Sequence, residues 1–275
     1  MNAADLHLHT CHSDGKNTPA RVVERAVEAG LQAMAITDHD TVSAVPEAQR
    51  AAQARDIAFL TGVEISARQE RTEVHVVGLG IDPDEPGLHA CLRELQAARA
   101  ERGERMLRRL CQLGVPVEVE AVRDEAEGRP VSRMHIAYHL RTLGITKTTQ
   151  EGFDRFLKPG REAYVSKTTC AVDTALARIH GAGGLAFVAH PGLSRSLRKL
   201  LPALLEQPFD GIEAYHISHS AGRTRELLEL AEARGLLVAG GSDCHGAMKG
   251  APEMGKVRLP MRYVDAIRER LQSRR

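Results

Sequence analysis

Seven short stretches of the chain carry imidazoles and carboxylates close enough together to act as groups. They are His7-Leu8-His9, Ser13-Asp14-Gly15, Thr37-Asp38-His39-Asp40, Gly62-Val63-Glu64, Val74-His75-Val76, Ala189-His190-Pro191 and Ser242-Asp243-Cys244-His245. His7 and His9 stand two apart in a strand-like run, and the strand period of two puts both rings on one face. That spacing suits two imidazoles on one metal ion. Asp243 and His245 repeat it. Asp14, between Ser13 and Gly15, reads equally well as a turn residue. Thr37-Asp38-His39-Asp40 crowds polar groups at the end of an apolar run, where each needs a partner; either aspartate could hold the far nitrogen of a histidine. Glu64 closes the apolar run 59–64, and a buried carboxylate calls for a cation, which a bridging position between metals would supply.

The donor set is imidazole and carboxylate with no thiolate, which favours Mn²⁺, Zn²⁺ or Fe²⁺ over a cysteine-rich structural zinc site. His7, His9, Asp14, His39, Glu64, His75, His190, Asp243 and His245 are too many ligands for one ion and suit two or three. A multinuclear site fits in-line attack on phosphorus, one ion lowering the pKa of a water while another holds the phosphoryl oxygens and the leaving group.

These groups meet only if the elements bring them together. The pattern predicts strands at 4–8, 32–37, 57–65, 73–81, 184–189, 211–215 and 236–240. It predicts helices at 19–29, 45–55, 172–180, 197–205, 221–234 and 264–271. Thr18-Pro19 supplies an N-cap and an N1 proline, and Gly30 a stop. Each reactive stretch falls at or just past the C-terminal end of a strand, except His75, which lies near the start of its own. A parallel barrel gathers those ends on one face, where barrel enzymes hold their sites. About seven strands in βα order predict an α/β fold, a parallel barrel short of the eight-fold type, with a doubly wound open sheet as the alternative. The alternation breaks between 86 and 163: a long charged helix at 86–114, shorter helices near 119–127, 134–143 and 150–157, and no clear strand. The expected domains are a barrel of residues 1–85 and 164–275 and a helical insertion of 86–163.

Composition excludes some classes. The chain has 275 residues, 43% of them apolar, enough for a sizeable core. Aromatic content is 3% with no Trp, so that core must be Leu, Val, Ala and Ile. A net charge of +1 argues against a broad nucleic-acid or membrane surface. The five scattered cysteines form no C-x-x-C pair and read as free thiols in a reducing compartment. No stretch suits a signal peptide or a transmembrane helix. The expected location is cytoplasmic, with no membrane and no obligatory protein partner.

In this order the motifs resemble the PHP (polymerase and histidinol phosphatase) superfamily of metallo-phosphoesterases. Asp5-Leu6-His7-Leu8-His9-Thr10 with Ser13-Asp14-Gly15 resembles its first motif, Thr37-Asp38-His39-Asp40 its second, His190-Pro191 its third and Ser242-Asp243-Cys244-His245-Gly246 its fourth; Gly62-Val63-Glu64-Ile65-Ser66 is a further familiar segment. The resemblance implies a distorted (βα)₇ TIM-like barrel with a trinuclear centre. It would place His7, His9, Glu64 and Asp243 on one ion, Glu64, His75 and His190 on a second, and Asp14, His39 and His245 on the third, Mn²⁺ being the leading metal. Cys244, between two ligands, should point away from the ions.

The insertion narrows the resemblance. Pro130-Val131-Ser132-Arg133-Met134-His135-Ile136-Ala137 resembles the Arg-x-His segment of the stand-alone phosphoesterases, with Met134 where Pro is usual. Lys158-Pro159-Gly160-Arg161-Glu162-Ala163-Tyr164-Val165 resembles another stretch of theirs, with its basic positions shifted. This implies Arg133 and His135 on a substrate phosphate, with Arg129, Lys158, Arg161 and Lys167 as further candidates. The implied reaction is loss of the 3′-phosphate from a nucleoside 3′,5′-bisphosphate; 5′-to-3′ exonuclease action on short oligonucleotides is the close alternative, and dephosphorylation of a metabolite such as histidinol phosphate a third. His12, His216 and His219 follow strand ends and are candidates for substrate contact or the general acid. His89, His139 and His180 read as ordinary surface or helix residues. An amidohydrolase would show a bridging Lys where Glu64 stands. A metal-stabilised module of a polymerase is disfavoured because every ligand position is filled.

Overall fold

The computed structural model describes residues 3–126, 128–246 and 254–274. Glu127, the last residue of the predicted helix 119–127, lies outside them. The described residues fall into two compact units, one of 3–92, 169–246 and 254–274, the other of 93–126 and 128–168.

In the first unit, strand β1 (Ala3–Leu8) leads to helix α1 (Pro19–Glu28), β2 (Ala33–Ile36) and α2 (Val45–Gln53). Strands β3 (Ala58–Gln69) and β4 (Thr72–Leu79) follow as a hairpin, and the long helix α3 (Pro86–Gln112) starts here. Thr18 caps α1 by accepting from the Arg21 amide, Pro19 fills the position whose missing N–H costs nothing, and Gly30 turns the chain at φ +69°. The valines of α1 pack with Leu8, Met34 and Ile36.

The second unit is helical. After α3 come α4 (Val119–Glu125), α5 (Arg133–Thr142) and α6 (Thr149–Gly152), which runs on into a π turn at Phe153–Leu157. Met106, Leu110, Val122, Ile136, Leu140 and Leu157 form a core of its own. The first unit then resumes with β5 (Cys170–Ala171), α7 (Val172–Gly181), β6 (Leu185–Val188), α8 (Arg195–Leu204), β7 (Gly211–His216), α9 (Ala221–Arg234), β8 (Leu237–Gly241), β9 (Leu259–Pro260) and α10 (Met261–Ser273).

The sheet runs β8-β7-β6-β4-β3-β2-β1-β9, with β5 paired to β3. It is nearly closed into a barrel. Asp243 donates its amide to His7 O at 3.0 Å and His9 donates to Cys244 O at 3.2 Å, joining β1 to the residues after β8. Gly241 permits this approach, since a Cβ there would lie 2.6 Å from His7 Cβ.

The α/β barrel agrees with the sequence reading, but an all-parallel sheet does not. β4 runs antiparallel to both β3 and β6. Only Glu70 and Arg71 separate β3 from β4, too few for the crossover that a parallel neighbour requires. The count also rises to nine among the described residues, because β5 and β9 are two-residue strands without a readable period.

Candidate metal centre

The antiparallel β4 explains the one misplaced histidine. Because β4 is reversed, its first half lies toward the barrel end where β1, β2, β6 and β8 finish, so His75 joins His7 in β1, Glu64 inside β3 and the residues that follow β1, β2, β6 and β8. Every sequence-predicted ligand converges there, and Glu64 is at the centre. Its Oε2 lies 2.9 Å from His39 Nδ1 and 3.3 Å from both His7 Nε2 and His9 Nε2. Its Oε1 lies 2.8 Å from His75 Nδ1 and 3.1 Å from His190 Nε2. Asp243 Oδ1 stands 3.1 Å from His9 Nε2, and Asp14 Oδ1 stands 3.1 Å from His245 Nε2.

Three groups of donor atoms are tight enough to share an ion: His7, His9 and Asp243; His39, Glu64 and His75; and His9, Asp14, His39 and His245. The family-derived division differs in detail, pairing His190 with His75 and leaving His9 off the third ion. Glu64 belongs in either division.

The donors fit divalent ions. Glu64 Oε2 is buried with no hydrogen-bond donor of its own, yet faces three imidazole nitrogens. Two of those nitrogens, His7 Nε2 and His9 Nε2, lie 3.1 Å apart. Two ring nitrogens that close to each other and to a carboxylate oxygen suit a shared cation, and an imidazole–carboxylate set is the donor chemistry of Mn²⁺, Zn²⁺ and Fe²⁺.

The electrostatics agree. Burial pushes the Glu64 carboxyl up, but His39, His75 and His7 outweigh it and hold its pKa well below the usual range. Asp14 is likewise ionised, burial being overcome by His245 and His39. Burial pushes His39 down to about 3, and it lowers His9 and His190 too. These rings are neutral near pH 7, the form in which imidazole binds metal.

Three non-glycine residues at this end adopt the left-handed region: Asp40 (φ +56°), His190 (φ +29°) and Asp243 (φ +52°). Such conformations cost about 1–3 kcal/mol each and persist where the surroundings over-determine them. Asp40 accepts from the Ser66 amide at 2.7 Å and from Ser66 Oγ at 2.8 Å. Asp38 accepts from the Thr10 amide at 2.8 Å and from the Thr10 and Ser13 hydroxyls. Of the aspartates after β2, Asp38 thus braces the loop after β1 and Asp40 ties that end to β3. Carboxylates that hold a histidine's far nitrogen are two that the sequence reading missed: Glu213, 2.8 Å from His7 Nδ1, and Glu73, 3.0 Å from His75 Nε2. Glu213 carried the same signal as Glu64, a single charge inside an apolar strand.

The remaining histidines separate by contacts. His219 accepts from the Gly192 amide at 2.9 Å and donates to Ala214 O at 2.9 Å, so both nitrogens are used in holding loops. His12 Nδ1 meets Ser43 Oγ at 2.7 Å. His216 is buried, its Nδ1 2.8 Å from Ser218 Oγ and its Nε2 3.7 Å from Asp243 Oδ2. His139 is buried rather than superficial, packed on α5 beside Glu125. All five cysteines are free, and Cys244 turns into the apolar core.

Arg133, His135, Arg129, Lys158 and Arg161 belong to the second unit. Arg133 opens α5 and lies over the Phe153 ring at 5.7 Å. His135 is buried and completes a capping box with Ser132, donating its amide to Ser132 Oγ and accepting the Ser132 amide at Nδ1, both at 3.2 Å. Arg129 donates to Ala126 O at 2.6 Å. Lys158 pairs with Asp154, and Arg161 is exposed.

A nearly closed barrel with histidines and carboxylates gathered at one end defines a metal-centred hydrolase, and the PHP domain model matches residues 5–165. The chain belongs to the PHP domain family. Over 93% of its length it is 38% identical to the 3′,5′-nucleoside bisphosphate phosphatase of Chromobacterium violaceum, covering 91% of that protein. Over 92% of its length it is 33% identical to a 5′-3′ exoribonuclease of Haemophilus influenzae, covering 93% of it. A solved structure from Bifidobacterium adolescentis, assigned as a metal-dependent phosphoesterase, superposes with a TM-score of 0.89 at 31% identity, covering 98% of this chain and 96% of the other.

Proposed function

We propose that the protein is a metal-dependent phosphoesterase that removes the 3′-phosphate from nucleoside 3′,5′-bisphosphates to leave nucleoside 5′-monophosphates. The observation that carries this reading is the buried Glu64 carboxylate facing five imidazoles, with Asp14 and Asp243 beside them. The nucleotide assignment rests on the Chromobacterium relative. Two or three divalent ions, Mn²⁺ foremost, would be held by His7, His9, Asp14, His39, Glu64, His75, His190, Asp243 and His245. When bound, such ions acidify water and neutralise phosphoryl oxygens. The chain's own groups present neutral ring nitrogens and ionised carboxylates in fixed orientation, so little reorganisation is needed.

Residues 86–163 are read as a helical insertion in a barrel of 1–85 and 164–275. Arg133 and His135 are read as contacts to a substrate phosphate, a reading the resemblance of their segment supports, with Arg129, Lys158 and Arg161 as auxiliary cations. Among the described residues no helix is long and apolar enough to cross a membrane, and the free thiols suit the reducing cytoplasm.

The test is phosphate release from adenosine 3′,5′-bisphosphate against mononucleotide release from a 5′-phosphorylated trinucleotide. Stripped protein is reloaded with Mn²⁺, and His9→Ala serves as the control. Turnover confined to the bisphosphate establishes the proposed reaction. Faster release from the trinucleotide would establish the exonuclease activity that the Haemophilus relative suggests; silence on both would overturn the nucleotide substrate assignment even with the metals bound.

A further inference from the structure

Strand β7 supplies none of the expected ligands, yet it carries a fully buried carboxylate, Glu213. Its two oxygens serve β1 and the loop after β6. Oε1 lies 2.8 Å from His7 Nδ1, and Oε2 accepts the His190 backbone amide at 2.8 Å. An ionised carboxylate only accepts. Once Nε2 holds an ion, the one remaining proton of the His7 ring must sit on Nδ1, and Nε2 is turned toward His9 Nε2 at 3.1 Å and Glu64 Oε2 at 3.3 Å. The second oxygen fixes the backbone of His190, whose φ of +29° needs such a restraint. With that backbone fixed, His190 Nε2 reaches the other oxygen of Glu64, Oε1, at 3.1 Å. The imidazoles on either side of the Glu64 carboxylate are thus both aimed by one residue.

We propose that Glu213 is a positioning residue that couples the ion positions on the two sides of Glu64, setting their affinity together through the His7 ring and the His190 backbone. The inference rests on the metal-centre reading above. It sets Glu213 apart from Glu73, whose carboxylate lies 3.0 Å from the far nitrogen of His75. It also predicts which position is independent: the Asp14–His245 pair, 3.1 Å apart, makes no contact with Glu213 that would transmit its loss.

The experiment titrates stripped full-length wild type, Glu213→Gln and Glu213→Asp with Mn²⁺ and Zn²⁺ by calorimetry, and counts retained metal after gel filtration. Glu213→Gln replaces one acceptor with a donor, so it cannot serve both His7 Nδ1–H and His190 N–H. Glu213→Asp keeps the charge but loses the reach. Both variants are expected to bind the ions that share Glu64 about 10–100-fold more weakly, the usual loss for a partner of a metal ligand, while retaining the ion at Asp14, His39 and His245. Wild-type affinity in Glu213→Asp would overturn positioning in favour of charge alone, and wild-type affinity in both would overturn any role. Should the variants fail to fold, ¹⁵N shifts of zinc-loaded wild type decide the matter: His7 protonated at Nδ1 and ligating through Nε2 supports the proposal, and the opposite tautomer overturns it. If wild type itself binds no divalent ion, the metal-centre reading falls, and that outcome differs from tight wild-type binding with unaffected variants.

Discussion

His75 Nδ1 lies 2.8 Å from Glu64 Oε1, across the antiparallel pair of β3 and β4. The reversal of β4 thereby adds a histidine to a carboxylate already faced by His7, His9, His39 and His190. Glu64→Gln replaces one oxygen with an NH₂ donor amid lone pairs that need a cation. Metal content should fall, and turnover of adenosine 3′,5′-bisphosphate should drop by about 100-fold or more, since loss of an outer partner alone costs about 10–100-fold. The stripped variant should stay folded, because the change removes a buried charge. Metal analysis beside circular dichroism checks this; normal metal content would remove Glu64 from the centre.

Arg133 sits at the first position of α5 over the Phe153 ring. On the proposed reading its guanidinium binds a substrate phosphate, and a charged hydrogen bond of that kind is worth about 1.5–3 kcal/mol. Arg133→Ala should raise KM for the bisphosphate about 10–100-fold with metal content unchanged. Arg133→Lys, which keeps charge but loses the planar fork, should fall between. Steady-state kinetics on the reloaded variants measure it, and an unchanged KM would reassign Arg133 to packing against Phe153.

Much of this site was legible because its residues break local rules. His7 and His9 on one face of a strand, and Glu64 ending an apolar run, are costly unless something pays them back, so their positions carried information. What stayed hidden depended on pairing. The direction of β4 is set by the two-residue Glu70-Arg71 turn, and the histidine pattern alone did not reveal it. Asp38 and Asp40 looked like partners of histidines, yet they accept from the amides and hydroxyls of Thr10, Ser13 and Ser66, partners that become neighbours only once β1, β2 and β3 are paired. Glu213 was visible in principle, a lone charge in Gly211–His216, but its partner His7 stands 206 residues earlier.

At the opposite end of the strands, Asp210 accepts from the Ala186 amide at 2.8 Å, lies 2.8 Å from His180 Nε2 and pairs with Arg274 at the close of α10. Burial raises its pKa, but His180, the Ala186 amide and Arg274 outweigh it and hold the carboxyl below its ordinary 3.8. A depressed carboxyl stabilises the fold above its unfolded value and loses that contribution as pH falls through the folded value. The contribution should therefore be whole at pH 7 and fade below 3.8. Asp210→Asn should cost about 1–3 kcal/mol at pH 7 and progressively less in acid. Urea melts of stripped protein at pH 7 and pH 3 compare the two; a pH-independent cost would mean that packing, rather than charge, matters there.

Metal uptake should itself depend on pH through His7. Burial alone would lower this ring's pKa, but Glu213 and Glu64 outweigh it and hold it well above the ordinary 6.5. Without metal, the raised pKa stabilises the fold fully below 6.5, and that contribution is lost as pH rises through the folded value. An ion at Nε2 requires the neutral ring, so binding displaces a proton and strengthens over the same rise. The two trends run in opposite directions, and the gap between stripped and loaded protein must widen with pH. Mn²⁺ at about 100 times its Kd should stabilise the protein by about 2.7 kcal/mol when that Kd is the one measured at pH 8. The same free concentration at pH 6 should give a smaller gain. Thermal melts at fixed free Mn²⁺ across that range make the comparison, and a gain that grew toward acid would show that His7 is not the group the ion competes for.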